Sequence, residues 1–209
     1  IISSVDGSLL VGTGRGFPGL SKYVKANPLV IKFFPTYVRK KKYTAQDMHY
    51  QNHEADFISG ACVMIKKAKI EQHNLYLDED FFLYAEDVEW SFRVKKKGFF
   101  NYFCADVEVF HVNSASTGQS KNKKKIMFVS ELLYLYKTHT KLQFWLFQLL
   151  FRFNFLLNKW LLTRSGELDK LEMEKMYKSI FDKYLPIIKK GYKRNPSSAK
   201  DYLSYVAQN

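Results

Sequence analysis

The sequence predicts an α/β domain followed by a helical region. Two short runs that are rich in apolar, β-branched and aromatic residues, 57–65 and 99–112, have the composition of strands, and a helix begins between them near Glu86. Further along the chain, apolar residues recur at helical spacing over three long stretches. We therefore expect residues 1–120 to form the α/β part and residues 121–209 to form the helical part.

The elements of the first part follow from local signals. Residues 1–56 are expected to be irregular, because glycines and prolines punctuate them. The first strand run reads as a buried strand, and Gly60 within it indicates the close approach of a ligand or another chain segment. A short helix is predicted over 66–74, and the helix that starts near Glu86 is expected to end at Gly98.

The three helical stretches of the second part lie at 123–139, 142–162 and 167–190. The middle stretch carries seven Phe and Trp residues, but Gln, Asn, Arg and Lys interrupt it. A cation near the centre of a bilayer costs about 2.5–3.5 kcal/mol, so we do not expect this helix to span a membrane.

Polar residues of the middle stretch form a narrow stripe on a helical wheel, with apolar rings over most of the remainder. The stripe consists of Lys141, Gln148, Arg152 and Lys159. This pattern is typical of an amphipathic helix that lies in a membrane interface with its cations toward anionic headgroups. The alternative is a helix buried against the main domain or against a second subunit.

The chain is basic, with 33 Lys and Arg against 20 Asp and Glu and a formal net charge of +13. Runs such as 39–42, 95–97 and 123–125 favour a polyanion or an anionic membrane surface as a partner, or they form solvated faces. Neither zinc-finger spacing nor the aromatic signature of an RNA-recognition module occurs, so no nucleic-acid partner is expected.

The two cysteines, Cys62 and Cys104, are too few for a disulfide framework or a four-thiolate zinc site. We expect both to be buried as small apolar side chains. Together with the lack of a charged-then-apolar leader, they favour a reducing, cytoplasmic compartment. Because the chain begins at Ile1, we expect it to be a C-terminal piece of a larger protein.

Several residues are candidates for chemistry. Glu86 and Asp87 stand at a predicted helix start, where carboxylates either cap the helix or act in a site. His111, at the end of a predicted strand, is either structural or functional. The acidic run 78–80 resembles a metal-binding triplet, but its setting favours a turn that anchors two aromatic side chains. The glycine-rich run 12–17 is a weak match to a phosphate-binding loop and favours a plain loop.

Four motifs now stand in a recognisable order. They are Gly14-Arg15-Gly16-Phe17-Pro18, Ser59-Gly60-Ala61, the run from Leu77 to Arg93 that contains Glu86-Asp87, and the run from Val109 to Ser116. In order and spacing, this set resembles the acceptor-side, C-terminal portion of the family 2 glycosyltransferases. It is similar in particular to the bacterial rhamnosyltransferase-like branch that acts in cell-surface polysaccharide synthesis. The resemblance covers roughly residues 10–140 and leaves the tail unmatched.

The resemblance implies part of a GT-A (Rossmann-like) domain and a metal-dependent sugar transfer with inversion. Asp87 would be the general base, with Glu86 beside it as a second catalytic carboxylate. His111 would be a ligand of the divalent metal, Mn²⁺ or Mg²⁺. The residues implied in substrate binding are Ser59, Gly60, Ala61, Tyr84, Arg93 and Ser116.

The implied partners are a nucleotide-sugar donor, a lipid-linked or glycan acceptor, and an anionic membrane surface. The implied location is peripheral, on the cytoplasmic face of the inner membrane. The family's donor-binding half, with its Asp-x-Asp metal motif, would precede this chain, so we expect a fragment or a gene remnant with little turnover of its own. Sheet edges left open by missing strands would favour a homo-oligomer.

Two other interpretations remain open at this point. The first is a non-catalytic module that binds a membrane surface or another polyanion through its Lys and Arg runs. The second is a helical interaction tail on a degenerate α/β fragment.

Overall fold

A computed structural model describes residues 2–3, 7, 14–39, 50–111 and 121–194. Within these ranges the chain is mostly helical. The strands are β1 (Ile2–Ser3), β2 (Gly14–Arg15), β3 (His53–Ala55), β4 (Phe57–Ile58), β5 (Asn101–Phe103) and β6 (Phe110–His111). The helices are α1 (Leu20–Lys25), α2 (Pro28–Phe33), α3 (Pro35–Arg39), α4 (Lys67–His73), α5 (Glu86–Lys96), α6 (Lys121–Thr138), α7 (Lys141–Ser165) and α8 (Leu168–Arg194).

The described strands form three separate two-stranded ladders. Strands β2 and β4 are antiparallel, with Arg15 opposite Phe57, and strands β3 and β5 are antiparallel as well. Strands β1 and β6 are parallel, with Ser3 opposite His111. Ladders this short are not stable on their own, so they depend on the helices that pack against them.

The main core lies where α6, α7 and α8 meet. Phe181 of α8 stacks on Phe151 of α7 with 4.3 Å between ring centroids, and Leu132 and Tyr134 of α6 are fully buried beside them. The same core takes in Phe81 and Val88, so it contains side chains from both sides of residue 120. The helical region therefore supports the loop and helix that carry Glu86 and Asp87.

Local signals explain how the long helices start and end. Thr140 and Gln143 form a reciprocal capping box at the start of α7, which satisfies two otherwise unpaired backbone N–H groups. Gly166 ends the helix in the left-handed conformation, at φ 73°. Among the helices that the structure describes, none combines the length and the apolarity needed to cross a bilayer.

The helix predictions for the second half of the chain are confirmed by α6, α7 and α8, and those for 66–74 and 86–98 by α4 and α5. The structure is also consistent with a partial α/β arrangement, although helices dominate it. A complete GT-A sheet stays a prediction.

The strand predictions were wrong in extent. Of the run 57–65 only Phe57–Ile58 is a strand, because the chain then turns at Gly60, and Met64 is 99% exposed. The run 99–112 contains only β5 and β6, which pair with different strands. The expectation that Cys62 and Cys104 are buried was wrong too, since both are exposed.

The N-terminal part is more regular than expected. Three short helices occupy most of residues 20–39. Pro28 is one of the prolines that were expected to punctuate an irregular segment, but with Asn27 as the cap it begins α2. The Asn27 side chain accepts hydrogen bonds from the N–H groups of Leu29 and Val30, and Pro28 takes the first helical position.

The prediction of an exposed polar stripe on α7 was partly wrong. Gln148 is buried, donates to the carbonyl of Phe144 over 3.1 Å and accepts from Lys189 over 2.8 Å. Arg152 and Lys159 are exposed as expected.

Candidate active site

The motif residues Gly60 and Asp87 lie in direct contact. The backbone N–H of Gly60 donates to Oδ2 of Asp87 over 2.9 Å, and the N–H of Val88 donates to Oδ1 over 2.8 Å. A Cβ at Gly60 would lie 3.6 Å from the Cβ of Asp87. Two backbone amides therefore orient the Asp87 carboxylate, and each oxygen keeps a lone pair for a further donor such as a hydroxyl.

Strand β2 places the glycine-rich segment next to the turn that contains Gly60. Because β2 pairs with β4, Gly14 and Arg15 lie beside Phe57 and Ile58, the residues just before Ser59. The Phe17 ring lies 6.4 Å from the Phe57 ring, centroid to centroid. Motifs at 14–18, 57–61 and 86–87 thus converge, although some seventy residues separate the first from the last.

Asp56 connects these segments, a role that was not expected from the sequence. Its Oδ2 accepts from the N–H of Phe17 over 3.3 Å, and its Oδ1 pairs with Lys95 of α5 at 2.5 Å. Its carbonyl accepts from the Asn101 side chain over 2.7 Å. An acidic residue directly before an apolar run was the available signal, but its three partners come from distant parts of the chain.

The backbone that leads into Glu86 is strained. Tyr84 and Ala85 both adopt the left-handed conformation, with φ of 65° and 64°, which side-chain-bearing residues rarely occupy. The hydroxyl of Ser130 on α6 donates to the carbonyl of Leu83 over 2.7 Å and steadies this turn. Strain of this kind persists only where the surroundings enforce it, and it is concentrated at functional sites.

Glu86 carries the clearest electrostatic perturbation at the site. The residue is half-buried, and its Oε2 atom is buried without a hydrogen-bond partner among the described residues. Burial raises the pKa of Glu86 and outweighs the lowering by a backbone hydrogen bond, and the neighbouring charge of Asp87 adds a smaller rise. Glu86 therefore takes up a proton more readily than an ordinary glutamate.

The acidic run 78–80 forms a turn. Lys137 of α6 pairs with the carboxylates of both Asp78 and Asp80, and Asp80 also donates its N–H to Asp78 over 3.0 Å. Phe81 is buried behind the turn, whereas Phe82 is exposed. The predicted turn is confirmed, although it anchors one aromatic side chain and not two. The carboxylates of Asp78 and Asp80 therefore pair with the Lys137 ammonium group.

Of the remaining residues predicted to bind substrate, some lie next to Gly60 and one is engaged in other contacts. Ser59 and Ala61 form the turn around Gly60, with the Ala61 N–H donating to the Ser59 hydroxyl over 3.3 Å. Arg93 is engaged elsewhere: Nε donates to the buried Glu89 over 2.8 Å, and a terminal nitrogen donates to the Tyr76 carbonyl over 2.6 Å. These contacts give Arg93 a structural role, and its part in substrate binding stays a prediction.

His111 lies half-buried at the end of β6, and Ser116 falls outside the described residues. Among the described residues, no hydrogen bond or ion pair joins His111 to Glu86 or Asp87. Nor does any group of three His, Cys, Asp or Glu side chains gather in this part of the chain at metal-binding distance. A divalent metal with His111 as a ligand therefore stays a prediction.

An apolar cleft of about 560 Å³ lies next to the Ser59–Cys62 turn. Ile58, Met64, Trp90 and Phe103 contribute to its walls, and Lys66 and Lys69 provide cations. The exposed Cys62 and Cys104 line it as well. The residues on either side of the turn, Ile58 and Cys62, line the cleft, whereas Glu86 and Asp87 do not.

Comparisons with known proteins give two distant matches with the same description. Two curated relatives from two strains of Mycobacterium tuberculosis, both described as N-acetylglucosaminyl-diphospho-decaprenol L-rhamnosyltransferase, are 26% identical to this chain over 87 residues. The match covers 42% of this chain and only 28% of each relative. No family model and no solved structure matches the chain. The similarity supports a distant relationship between this chain and the glycosyltransferases.

Proposed function

We propose that this chain is the acceptor-side part of an inverting glycosyltransferase that moves a sugar from a nucleotide-sugar donor to a lipid-linked or glycan acceptor. The observation that carries the proposal is the Gly60–Asp87 hydrogen bond, since it joins two separate motifs of the resemblance. The mycobacterial relatives suggest a narrower class, an acceptor sugar linked through a diphosphate to a polyprenol and an L-rhamnosyl donor.

In this reaction Asp87 is the general base. A sugar hydroxyl is a weak nucleophile, so a carboxylate that accepts its proton during attack lowers the barrier. The hydroxyl oxygen bonds to the anomeric carbon while the bond from that carbon to the donor phosphate breaks, and the proton goes to Asp87. The nucleoside diphosphate leaves from the opposite face, which inverts the configuration.

Glu86 remains the proposed second catalytic carboxylate. Its raised pKa suits a group that exchanges a proton with other groups in the acceptor site. Ser59, Gly60 and Ala61 would border the acceptor, together with Tyr84. A divalent metal, Mn²⁺ or Mg²⁺, with His111 as one ligand is part of the proposal, but no step above depends on it.

The test is sugar transfer by the full-length natural protein, with nucleotide-linked L-rhamnose and a polyprenyl-diphosphate-linked N-acetylglucosamine. Asp87→Asn should lower kcat by about 10²–10⁴-fold, because the amide cannot accept the proton. Asp169→Asn, an exposed residue in the first turn of α8, is the matched control and should leave kcat unchanged.

Circular dichroism of each variant separates loss of catalysis from loss of fold. Transfer at the wild-type rate by a folded Asp87→Asn variant would remove Asp87 as the base. Absence of transfer by the wild type across nucleotide-sugar donors would overturn the proposed reaction.

A further inference from the structure

The outer face of α7 is a continuous apolar stripe. Its side chains recur every three or four residues, which places them on one face of the helix over about 27 Å of its length. They are between 42% and 64% exposed. The stripe consists of Leu142, Trp145, Leu149, Phe153, Leu156 and Trp160.

The stripe is separate from the face that α7 buries. Phe144 and Phe147 are buried, and Phe151 stacks on Phe181 of α8, so the core-facing side of the helix is already filled. A globular helix normally presents polar residues opposite its core face. Here the described residues leave a second apolar face, with two tryptophans in it, about half exposed. Such a patch marks an interaction surface.

Helices α1 and α2 extend this surface beside α7. A buried amide pair fixes them there: Asn27 donates to Asn154 over 2.6 Å, and Asn154 donates to the carbonyl of Tyr23 over 2.9 Å. Exposed apolar side chains continue along α2 and α3. They are Leu29, Ile31, Phe33, Phe34 and Tyr37.

The charges of these segments identify the kind of partner. Residues 20–39 and 141–165 together contain eight Lys and Arg and no Asp or Glu. Several of these cations lie against exposed rings, as Arg164 does at 5.0 Å from the Trp160 ring and Lys32 at 5.4 Å from the Phe33 ring. Apolar rings with cations beside them match the boundary between acyl chains and anionic headgroups.

A second copy of the same face fits these charges poorly. In a two-fold contact each cation would meet the like-charged face of its partner, and no carboxylate from these segments would neutralise it. An anionic lipid surface, in contrast, attracts each basic residue close to it by about 1 kcal/mol. Because no described helix can cross a bilayer, the helix would lie in the plane of the membrane.

We propose that the outer face of α7, continued by α2 and α3, docks this protein on the surface of a bilayer that contains anionic lipid. The proposal is independent of the sugar-transfer chemistry. The proposal agrees with the peripheral membrane location expected from the sequence. It differs in one respect: only the outward-facing rings of α7 contact the acyl chains, whereas the sequence pattern assigned that contact to most of the helix surface.

The test is flotation of the full chain with phosphatidylcholine vesicles and with vesicles in which part of the lipid is phosphatidylglycerol. The wild type should float with the anionic vesicles and much less with the neutral ones. The triple variant Trp145→Ser, Phe153→Ser and Trp160→Ser should lose at least about tenfold in partitioning, because it removes the largest rings of the stripe. These side chains are already exposed, so the fold should survive.

The matched control is Met64→Ser, Phe100→Ser and Tyr102→Ser, three apolar side chains that line the cleft and are more exposed than those of the triple variant. It should float like the wild type. Intrinsic fluorescence gives a second readout, since Trp145 and Trp160 should shift to the blue on binding while the buried Trp90 does not. In the triple variant, which keeps Trp90 alone, the shift should vanish.

A second variant tests the role of the cations. Arg152→Gln with Lys159→Gln should reduce flotation with anionic vesicles and leave the weaker binding to neutral vesicles unchanged. The pair Lys96→Gln and Lys97→Gln at the end of α5 is its control. Inorganic phosphate at matched ionic strength should not compete with the vesicles more than chloride does.

Three results would overturn the proposal. They are equal flotation by the triple variant and the wild type, no flotation of the wild type with either vesicle, and specific competition by free phosphate. A wild-type dimer that the triple variant abolishes, without any vesicle binding, would assign the face to a second copy. Asp87→Asn should float normally, so failure here and failure of the proposed catalysis are distinguishable.

Discussion

The N–H of Gly60 and the Oδ2 of Asp87 are 2.9 Å apart, and this hydrogen bond connects a turn and a helix start that are 27 residues apart in the chain. It orients the carboxylate from outside its own helix. An ordinary N-terminal aspartate is satisfied by the amides of its own first turn. The contact from Gly60 is therefore the feature that distinguishes Asp87 from a plain capping residue.

The Gly60 amide should report on the charge of Asp87. In Asp87→Ala the acceptor is gone, and the Gly60 N–H resonance should move upfield, while the amide of Gly98 at the other end of α5 should stay in place. Because the bond is solvent-exposed, the free energy of unfolding should fall by no more than about 1 kcal/mol. Two-dimensional NMR and urea denaturation measure the two effects. A stationary Gly60 resonance would contradict the contact.

Glu86 should make stability depend on pH. Its pKa is raised in the folded state, so the folded protein holds this proton to a higher pH than the unfolded chain does. Stability should therefore fall as pH rises through the interval between the ordinary glutamate pKa and the raised one. Glu86→Gln removes this penalty and should be more stable than the wild type above the interval and equal to it below.

Urea denaturation across the acidic to neutral range checks this difference. Glu172→Gln, on an exposed part of α8, controls for the loss of one surface carboxylate. A Glu86→Gln advantage that is the same at every pH would rule out the titration of Glu86 as its cause.

Lys137 should be essential for the turn before the site. Burial lowers its pKa, but the hydrogen bonds and charges of Asp78 and Asp80 outweigh that effect and raise the pKa overall. Lys137→Met would leave two carboxylates unpaired, one of them buried, and should cost about 3–5 kcal/mol of stability. The exposed pair gives the control, because Lys175→Met should change stability by less than about 1 kcal/mol.

Thermal or urea unfolding of both variants is the measurement. Similar losses for Lys137→Met and Lys175→Met would mean that Lys137 does not anchor the turn.

The amide pair between Asn27 and Asn154 should hold α1 and α2 on α7. Asn154→Ala leaves the buried Asn27 amide and the Tyr23 carbonyl without their partner, at a cost of about 1–3 kcal/mol. Hydrogen exchange should then speed up in α1 and α2 before it does in α8. Thr163→Ala, an exposed change on the same helix, should have no such effect, and uniform exchange in Asn154→Ala would contradict the assigned role.

The helices were the most predictable part of the molecule. Their apolar residues recur at helical spacing, Thr140 and Gly166 mark the ends of α7, and Glu86 begins α5 as expected, because helix formation depends on residues only a few positions apart. The Asn27–Pro28 start of α2 was an equally local signal, but it lies in the segment 1–56 that was expected to be irregular. Among the site residues, the Glu86–Asp87 pair and Gly60 could be singled out from their motifs.

The sequence alone determined where the chain turns helical and which short motifs stand near one another along it, since both are local properties. Only the tertiary structure decided that Asp56 joins the glycine segment to α5, that Arg93 donates a hydrogen bond to the carbonyl of Tyr76, and which side of α7 meets solvent. Those outcomes depend on contacts between residues far apart in the chain, and an aromatic helix carries no local mark of which rings its neighbours will cover.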